Sequence, residues 1–158
     1  WGCIPTKALI ESAKLYSRIK RAEHMGIDGI DPKTLTFNWN KSKTRAREVV
    51  KKLTGGVNFL LKKNGIDVIQ GEATILSHNS ISVENRTLKA KSILLATGSY
   101  PSGIGFKIPS EKYVDVEKML DLESLPQNIV IYGHGPTTLE IAQFFQMIDL
   151  NVTVVSPE

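Results

Sequence analysis

Cys3 is the only cysteine in the 158-residue chain, and its neighbours in Trp1-Gly2-Cys3-Ile4-Pro5-Thr6-Lys7 are of the kinds that make a sulfur reactive. Pro5 suits the first turn of a helix, where its missing N–H costs nothing. A helical rhythm follows from Thr6 to His24. Cys3 is therefore expected at or just before a helix N-terminus, where free N–H groups and the positive end of the dipole favour a thiolate. Lys7 lies one turn further along the same face, and a cation there favours the anion again. The plainer alternative is a small, buried core cysteine.

A second constellation lies near the other end. Asn128-Ile129-Val130-Ile131-Tyr132 reads as a strand, Gly133-His134-Gly135 as a tight turn, and Pro136-Thr137-Thr138-Leu139-Glu140 as the start of a helix. Val152–Val155 then reads as the next parallel strand. Gly133-x-Gly135-x-x-Thr138 is an imperfect dinucleotide fingerprint. Gly133 permits the turn, Gly135 lets the backbone approach a pyrophosphate, and Pro136 fits the first helical position. Thr138 is larger than the usual third residue, and His134 stands where a small residue is usual. The ribose-selecting slot falls on Ser156, before Pro157 and Glu158, with no arginine after it to indicate NADP. Between the two constellations, the apolar run Ser92–Ala96 enters a small-residue turn, Thr97-Gly98-Ser99.

The elements that would position these residues follow in order. A first amphipathic helix spans Thr6 to His24, with Ala8, Leu9, Leu15, Ile19 and Ala22 as its apolar side and Gly26 as its stop. A loop covers 26–37. A second helix runs from Asn40 to Lys63, interrupted at Gly55-Gly56 by a kink or a close helix crossing; each glycine weakens it by about 1 kcal/mol. Strands are expected at Asp67–Gly71, Glu72–Leu76, Ser80–Glu84 and Ser92–Gly98, with turns at His78-Asn79 and Glu84–Thr87. Residues 99–128, holding Pro101, Gly103, Gly105, Pro109 and Pro126, form a connector with a short helix near Val116–Leu122.

The chain is 41% apolar and 23% charged, ordinary for a soluble globular protein. No apolar run reaches the roughly 20 residues that span a bilayer, and no signal peptide is read in it. One cysteine excludes an internal disulfide and a multi-cysteine metal site, and suits a reducing compartment such as cytoplasm or mitochondrial matrix. The net charge of +4 gathers between Lys41 and Lys63, where Phe59 alone interrupts it. That pattern is a solvated helix face rather than a nucleic-acid surface. His24, His78 and His134 lack metal-ligand spacing, so no metal is expected.

Gly2-Cys3-Ile4-Pro5-Thr6-Lys7 resembles the active-site motif C-x-x-x-x-C-[IV]-P-[ST]-K of the flavin-dependent disulfide reductases, and in particular that of the dihydrolipoamide dehydrogenases. Thr97-Gly98-Ser99 with Pro101 is similar to their second flavin motif, A-[TA]-G-[ST]-x-P. The resemblance covers essentially the whole chain. It implies a partial Rossmann-like FAD/NAD(P)-binding α/β fold with an antiparallel strand insertion. Residues 1–110 would be the latter part of the FAD-binding region, and 111–158 the start of the NAD-binding domain. Cys3 matches the second of two redox cysteines; the first would precede Trp1, so an internal piece of a longer subunit is expected. Lys7 would lie beside the flavin and pair with Glu140. Ala73, Thr97, Gly98 and Ser99 would contact FAD; Gly133, His134, Gly135, Pro136, Thr137 and Ser156 would contact NAD. The family's substrate is a lipoamide-bearing domain of a 2-oxo-acid dehydrogenase complex, and its members are homodimers. Alternatives are a glutathione or mercuric reductase, a non-catalytic nucleotide-binding module, and a flavin-free cysteine redox sensor.

Overall fold

The computed structural model describes residues 2–99, 108–109 and 112–156. Trp1, Pro101, Gly103, Gly105, Pro157 and Glu158 lie outside that set. The chain divides into two units, one of Trp1–Leu53 with Pro101–Glu158, the other of Thr54–Tyr100.

In the first unit, helix α1 spans Cys3–Lys20. Thr6 makes the first main-chain bond of the helix, to the Gly2 carbonyl at 3.3 Å, so Pro5 stands where no donor is needed. The buried stripe includes Thr6, Leu9, Ile10 and Ala13. Leu15, expected on the apolar side, falls off that stripe and is 60% exposed. The helix also stops before His24. A 3₁₀ turn, Glu23–Met25, follows, and Gly26 closes it at φ +78°, a left-handed conformation that suits glycine.

Helix α2 runs unbroken through Trp39–Lys63. Gly55-Gly56 neither kinks it nor marks a close crossing: a Cβ built on either glycine meets nothing within 4 Å among the described residues. About 1 kcal/mol per glycine does not halt propagation once a helix is nucleated. Its basic residues are more than a solvated face. Lys43 Nζ and Trp39 Nε1 both donate to the Leu122 carbonyl, at 2.7 and 2.9 Å. Arg47 donates to the Leu120 carbonyl at 2.9 Å, and Arg45 to the Ala8 carbonyl of α1 at 2.9 Å. The 3₁₀ turn Lys118–Asp121 is thereby tied down through carbonyls its own short helix leaves open.

Strand β4, Asn128–Tyr132, pairs in parallel with β5, Asn151–Val155, and helix α3, Pro136–Met147, joins them. Phe144 is fully buried. Its ring meets Phe37 and Trp39 at centroid distances of 6.0 and 6.2 Å, and Phe145 at 5.1 Å. Leu9 of α1, also fully buried, belongs to the same cluster. Aromatic burial of this size dominates a small core.

The second unit holds an antiparallel meander of β1, Ala73–Ser77, β2, Ser80–Val83, and β3, Arg86–Lys89. Ala73 faces Val83 and Ser80 faces Lys89. The expected strands at 67–71 and 92–98 are absent. A strand exists through hydrogen bonds to a neighbour, and among the described residues neither segment pairs with one. Their apolar residues are correspondingly uncovered: Val68 is 52%, Leu94 91% and Leu95 65% exposed. The chain is a partial Rossmann-like α/β fold: the first unit holds the β4–α3–β5 unit and the second the antiparallel meander.

Candidate functional site

Cys3 is the first residue of α1, after the N-cap Gly2, which has no side chain to cap the helix. Its thiol is free and exposed. Lys7, one turn on, reaches across to α3: its Nζ donates to Glu140 Oε1 at 2.6 Å. The ion pair expected from the sequence is therefore formed. It is a solvent-facing pair, with the lysine side chain 58% and the glutamate 33% exposed. The hydrogen bond to Glu140 is the main reason that the Lys7 ammonium titrates above its ordinary range. Loss of hydration opposes this, and the charges of Glu140 and, last, Cys3 add to it. The cation beside the sulfur is thus kept protonated.

Glu140 occupies its position because α3 starts at a glycine turn. Gly133 has φ +148°, and its N–H donates to the Val155 carbonyl at 2.9 Å, closing the turn onto the end of β5. A Cβ on Gly133 would lie 2.5 Å from Thr138 Oγ1. The bulkier third fingerprint residue therefore packs directly into the space that glycine leaves. Gly135 is the N-cap, extended at φ −82° and ψ 176°, and Pro136 is the first helical residue. No side chain caps α3, and a Cβ on Gly135 meets nothing within 4 Å. Open space thus faces the uncapped amides of a 12-residue helix, the arrangement that receives a pyrophosphate. His134 and Thr137 flank it and are exposed, as is Ser156 just beyond β5. These residues fit a dinucleotide.

The residues matched to flavin binding lie in the other unit. Ala73 opens β1, and Thr97, Gly98 and Ser99 form an exposed segment outside any helix or strand, in which Gly98 has φ +78°. Cys3, Lys7, Glu140 and the Gly133–Thr137 turn share the first unit; Ala73 and Thr97–Ser99 share the second. Among the described residues no cluster of His, Cys, Asp or Glu could hold a metal, and no helix is long and apolar enough to cross a membrane.

Sequence reasoning missed Asp149. It sits after α3 at φ +67° and accepts from Lys20 Nζ at 2.6 and 2.7 Å and from Tyr16 Oη at 3.0 Å, fastening α1 to the far end of α3. No local pattern announces such a contact; Tyr16 and Lys20 are merely one turn apart on α1.

Residues 1–158 match the pyridine nucleotide-disulphide oxidoreductase family. Among curated relatives, the chain is similar to a dihydrolipoyl dehydrogenase of Acholeplasma laidlawii, at 38% identity over 98% of this chain and 47% of the relative. It is similar also to dihydrolipoyl dehydrogenases of Bacillus subtilis and Geobacillus stearothermophilus, each at 35% identity over 98% of this chain, covering 34% and 33% of the relatives. The chain spans about a third to a half of the length of these relatives. With the glycine turn, the cysteine at a helix start and a match along its whole length, the chain belongs to the pyridine nucleotide-disulphide oxidoreductase family.

Proposed function

We propose that this chain is the central part of a flavin-dependent dihydrolipoamide dehydrogenase. The complete protein would convert dihydrolipoamide and NAD⁺ to lipoamide, NADH and a proton. Residues 1–110 would finish the FAD-binding region and 111–158 would open the NAD-binding domain. Cys3 would be the second member of a redox pair, and its partner, contributed from before Trp1, would exchange with the lipoyl sulfur. FAD, when bound, supplies a two-electron relay between thiols and nicotinamide. Ala73 and Thr97–Ser99 would lie along it, with Lys7 beside its ring. Gly133, His134, Gly135, Pro136, Thr137 and Ser156 would hold the nucleotide.

The observation that supports this reading most is the Lys7–Glu140 pair at 2.6 Å. It joins the helix that begins with the only sulfhydryl to the helix that begins at the glycine turn. Lys7 stays cationic one turn along the helix that begins at Cys3. Glu140 fixes the ammonium's position through the ion pair. The full-length protein would act as a homodimer on the lipoyl domain of a 2-oxo-acid dehydrogenase complex, in a reducing compartment.

The test is spectroscopic and kinetic. The full-length protein should purify yellow, with a flavin spectrum, and should form NADH when given dihydrolipoamide and NAD⁺. Residues 1–158 alone should not turn over. A colourless full-length protein that takes up no FAD, or lipoamide-dependent NADH formation by residues 1–158 alone, would refute the reading.

A further inference from the structure

The geometry points to Asp149 as a positioning residue: it holds α1 on α3 in the register at which Lys7 meets Glu140 and, resting on the functional reading above, sets Lys7 for turnover. Lys7 pairs with Glu140, and Tyr16 Oη donates to Asp149. Both pairs are separated by 133 residues, and Lys20, one turn beyond Tyr16, meets Asp149 at a separation of 129. Partners advance together along the two helices, so α1 and α3 lie parallel. Their first residues, Cys3 and Pro136, stand at the same separation of 133, so the helices start level.

Asp149 is locally unfavourable where it stands. Its φ of +67° is left-handed, a region that disfavours side chains, and its charge follows the carbonyl end of α3, where the dipole disfavours an anion. The contacts that offset this run outward to α1, to Lys20 at 2.6 and 2.7 Å and to Tyr16 at 3.0 Å. The residue is also a fixed point. Gln127 Nε2 donates to its carbonyl at 3.2 Å, and the Asn151 N–H donates to the Gln127 carbonyl at 2.9 Å, which ties it to the start of both strands. Lys20 and Asp149 are 29% and 53% exposed, and pairs so exposed add little net stability. What two such pairs on parallel helices select is register, since a slide of one turn, about 5.4 Å, parts both at once. The fold itself rests on the buried cluster of Leu9 and Phe144. Loss of Asp149 therefore loosens the register of α1 and leaves the fold standing.

The test uses the full-length protein. Asp149→Gly removes the carboxylate and suits the left-handed backbone, so its urea midpoint should stay near native. The Lys7 ammonium, raised mainly by its bond to Glu140, is followed by side-chain ¹⁵N NMR titration, with Glu140→Gln as the reference. In Asp149→Gly the Lys7 titration should fall toward its ordinary range by about half or more of the fall in Glu140→Gln, although residues 140 and 149 lie about 13 Å apart along the helix. The kcat for NADH formation should fall about tenfold, with the dihydrolipoamide KM within about threefold, because a misplaced group costs rate more than affinity. Tyr16→Phe with Lys20→Met, which leaves residue 149 untouched, should reproduce both changes and takes the place of Asp149→Gly should that variant not fold. The two variants remove charges of opposite sign, so a fall of the Lys7 titration in both is not a direct field effect. An unmoved Lys7, or a kcat within about twofold of native, overturns the proposal. A native protein that forms no NADH refutes the functional reading instead, and the Lys7 titration alone then decides the register.

Discussion

Replacing Gly133 by alanine should damage the turn in two separable ways. At φ +148° a side chain is strained whatever room it has, which costs about 1–3 kcal/mol. The new methyl would also lie 2.5 Å from Thr138 Oγ1, and Thr138 is buried on the inner side of α3. Forcing such an overlap costs a further ~1–3 kcal/mol. Gly133→Ala should therefore lose about 2–6 kcal/mol in all. Adding Thr138→Ala removes the hydroxyl that is struck but leaves the backbone strain. The double variant should recover the steric share alone, giving a coupling of about 1–3 kcal/mol between two sites in contact. Urea unfolding followed by Trp39 fluorescence, in a Trp1→Phe background, reports on the right region, since Trp39 packs on Phe144 of α3. A loss below about 0.5 kcal/mol, or strictly additive effects, would show that Thr138 does not fill the glycine's space.

Phe144→Ala should cost about 3–5 kcal/mol in the same assay, whereas Leu139→Ala, on the exposed side of the same helix, should stay within about 0.5 kcal/mol. Alkaline stability should depend on Asp149. Its hydrogen bond is the chief cause that raises the Lys20 ammonium, while burial first, and then the bond to Asp149, raises the Tyr16 phenol. Both folded-state values lie above the unfolded ones, so the folded state holds more protons in that window. Their contribution is full below about pH 10 and disappears as pH rises through the folded-state values. Urea midpoints taken from pH 9 to 11.5 should fall, and Asp149→Asn should flatten the decline; an equally steep decline in that variant would contradict the assignment. Glu140→Gln should return the Lys7 ammonium toward its ordinary titration range, since the hydrogen bond to Glu140 is the main cause of its elevation. Side-chain ¹⁵N NMR titration reads this directly, and an unmoved Lys7 would point to another partner.

Much of this was legible because it is local. Pro5 near a helix start, the Gly133-x-Gly135-Pro136 turn and the apolar runs flanking it each express constraints on a few consecutive residues. The first two strands of the meander were legible too, with the turn at His78-Asn79, but β3 was not: the expected turn over Glu84–Thr87 takes in Arg86 and Thr87, which pair with β2 as strand. The segments at 67–71 and 92–98 misled, because apolar β-branched runs announce a strand only if a neighbour accepts its hydrogen bonds. The basic face of α2 is largely exposed, as its charge pattern suggests, but that pattern says nothing of the long-range partners it also binds. Charge pattern marks Lys43, Arg45 and Arg47 as solvated, but the carbonyls they bind come from α1 and the 118–122 turn, far away in the chain.

By itself the order of residues determined which stretches would coil, where the backbone would bend at glycine, and that a sulfur would stand at a helix start near a cation. Tertiary structure alone decided that Thr138 would press on Gly133, that Asp149 would gather Tyr16 and Lys20, and that Lys7 would reach Glu140 across two helices. The reason is range. Torsional preference acts within a few residues, whereas ion pairs, steric fit and sheet register depend on distances that exist only after helices and strands have packed.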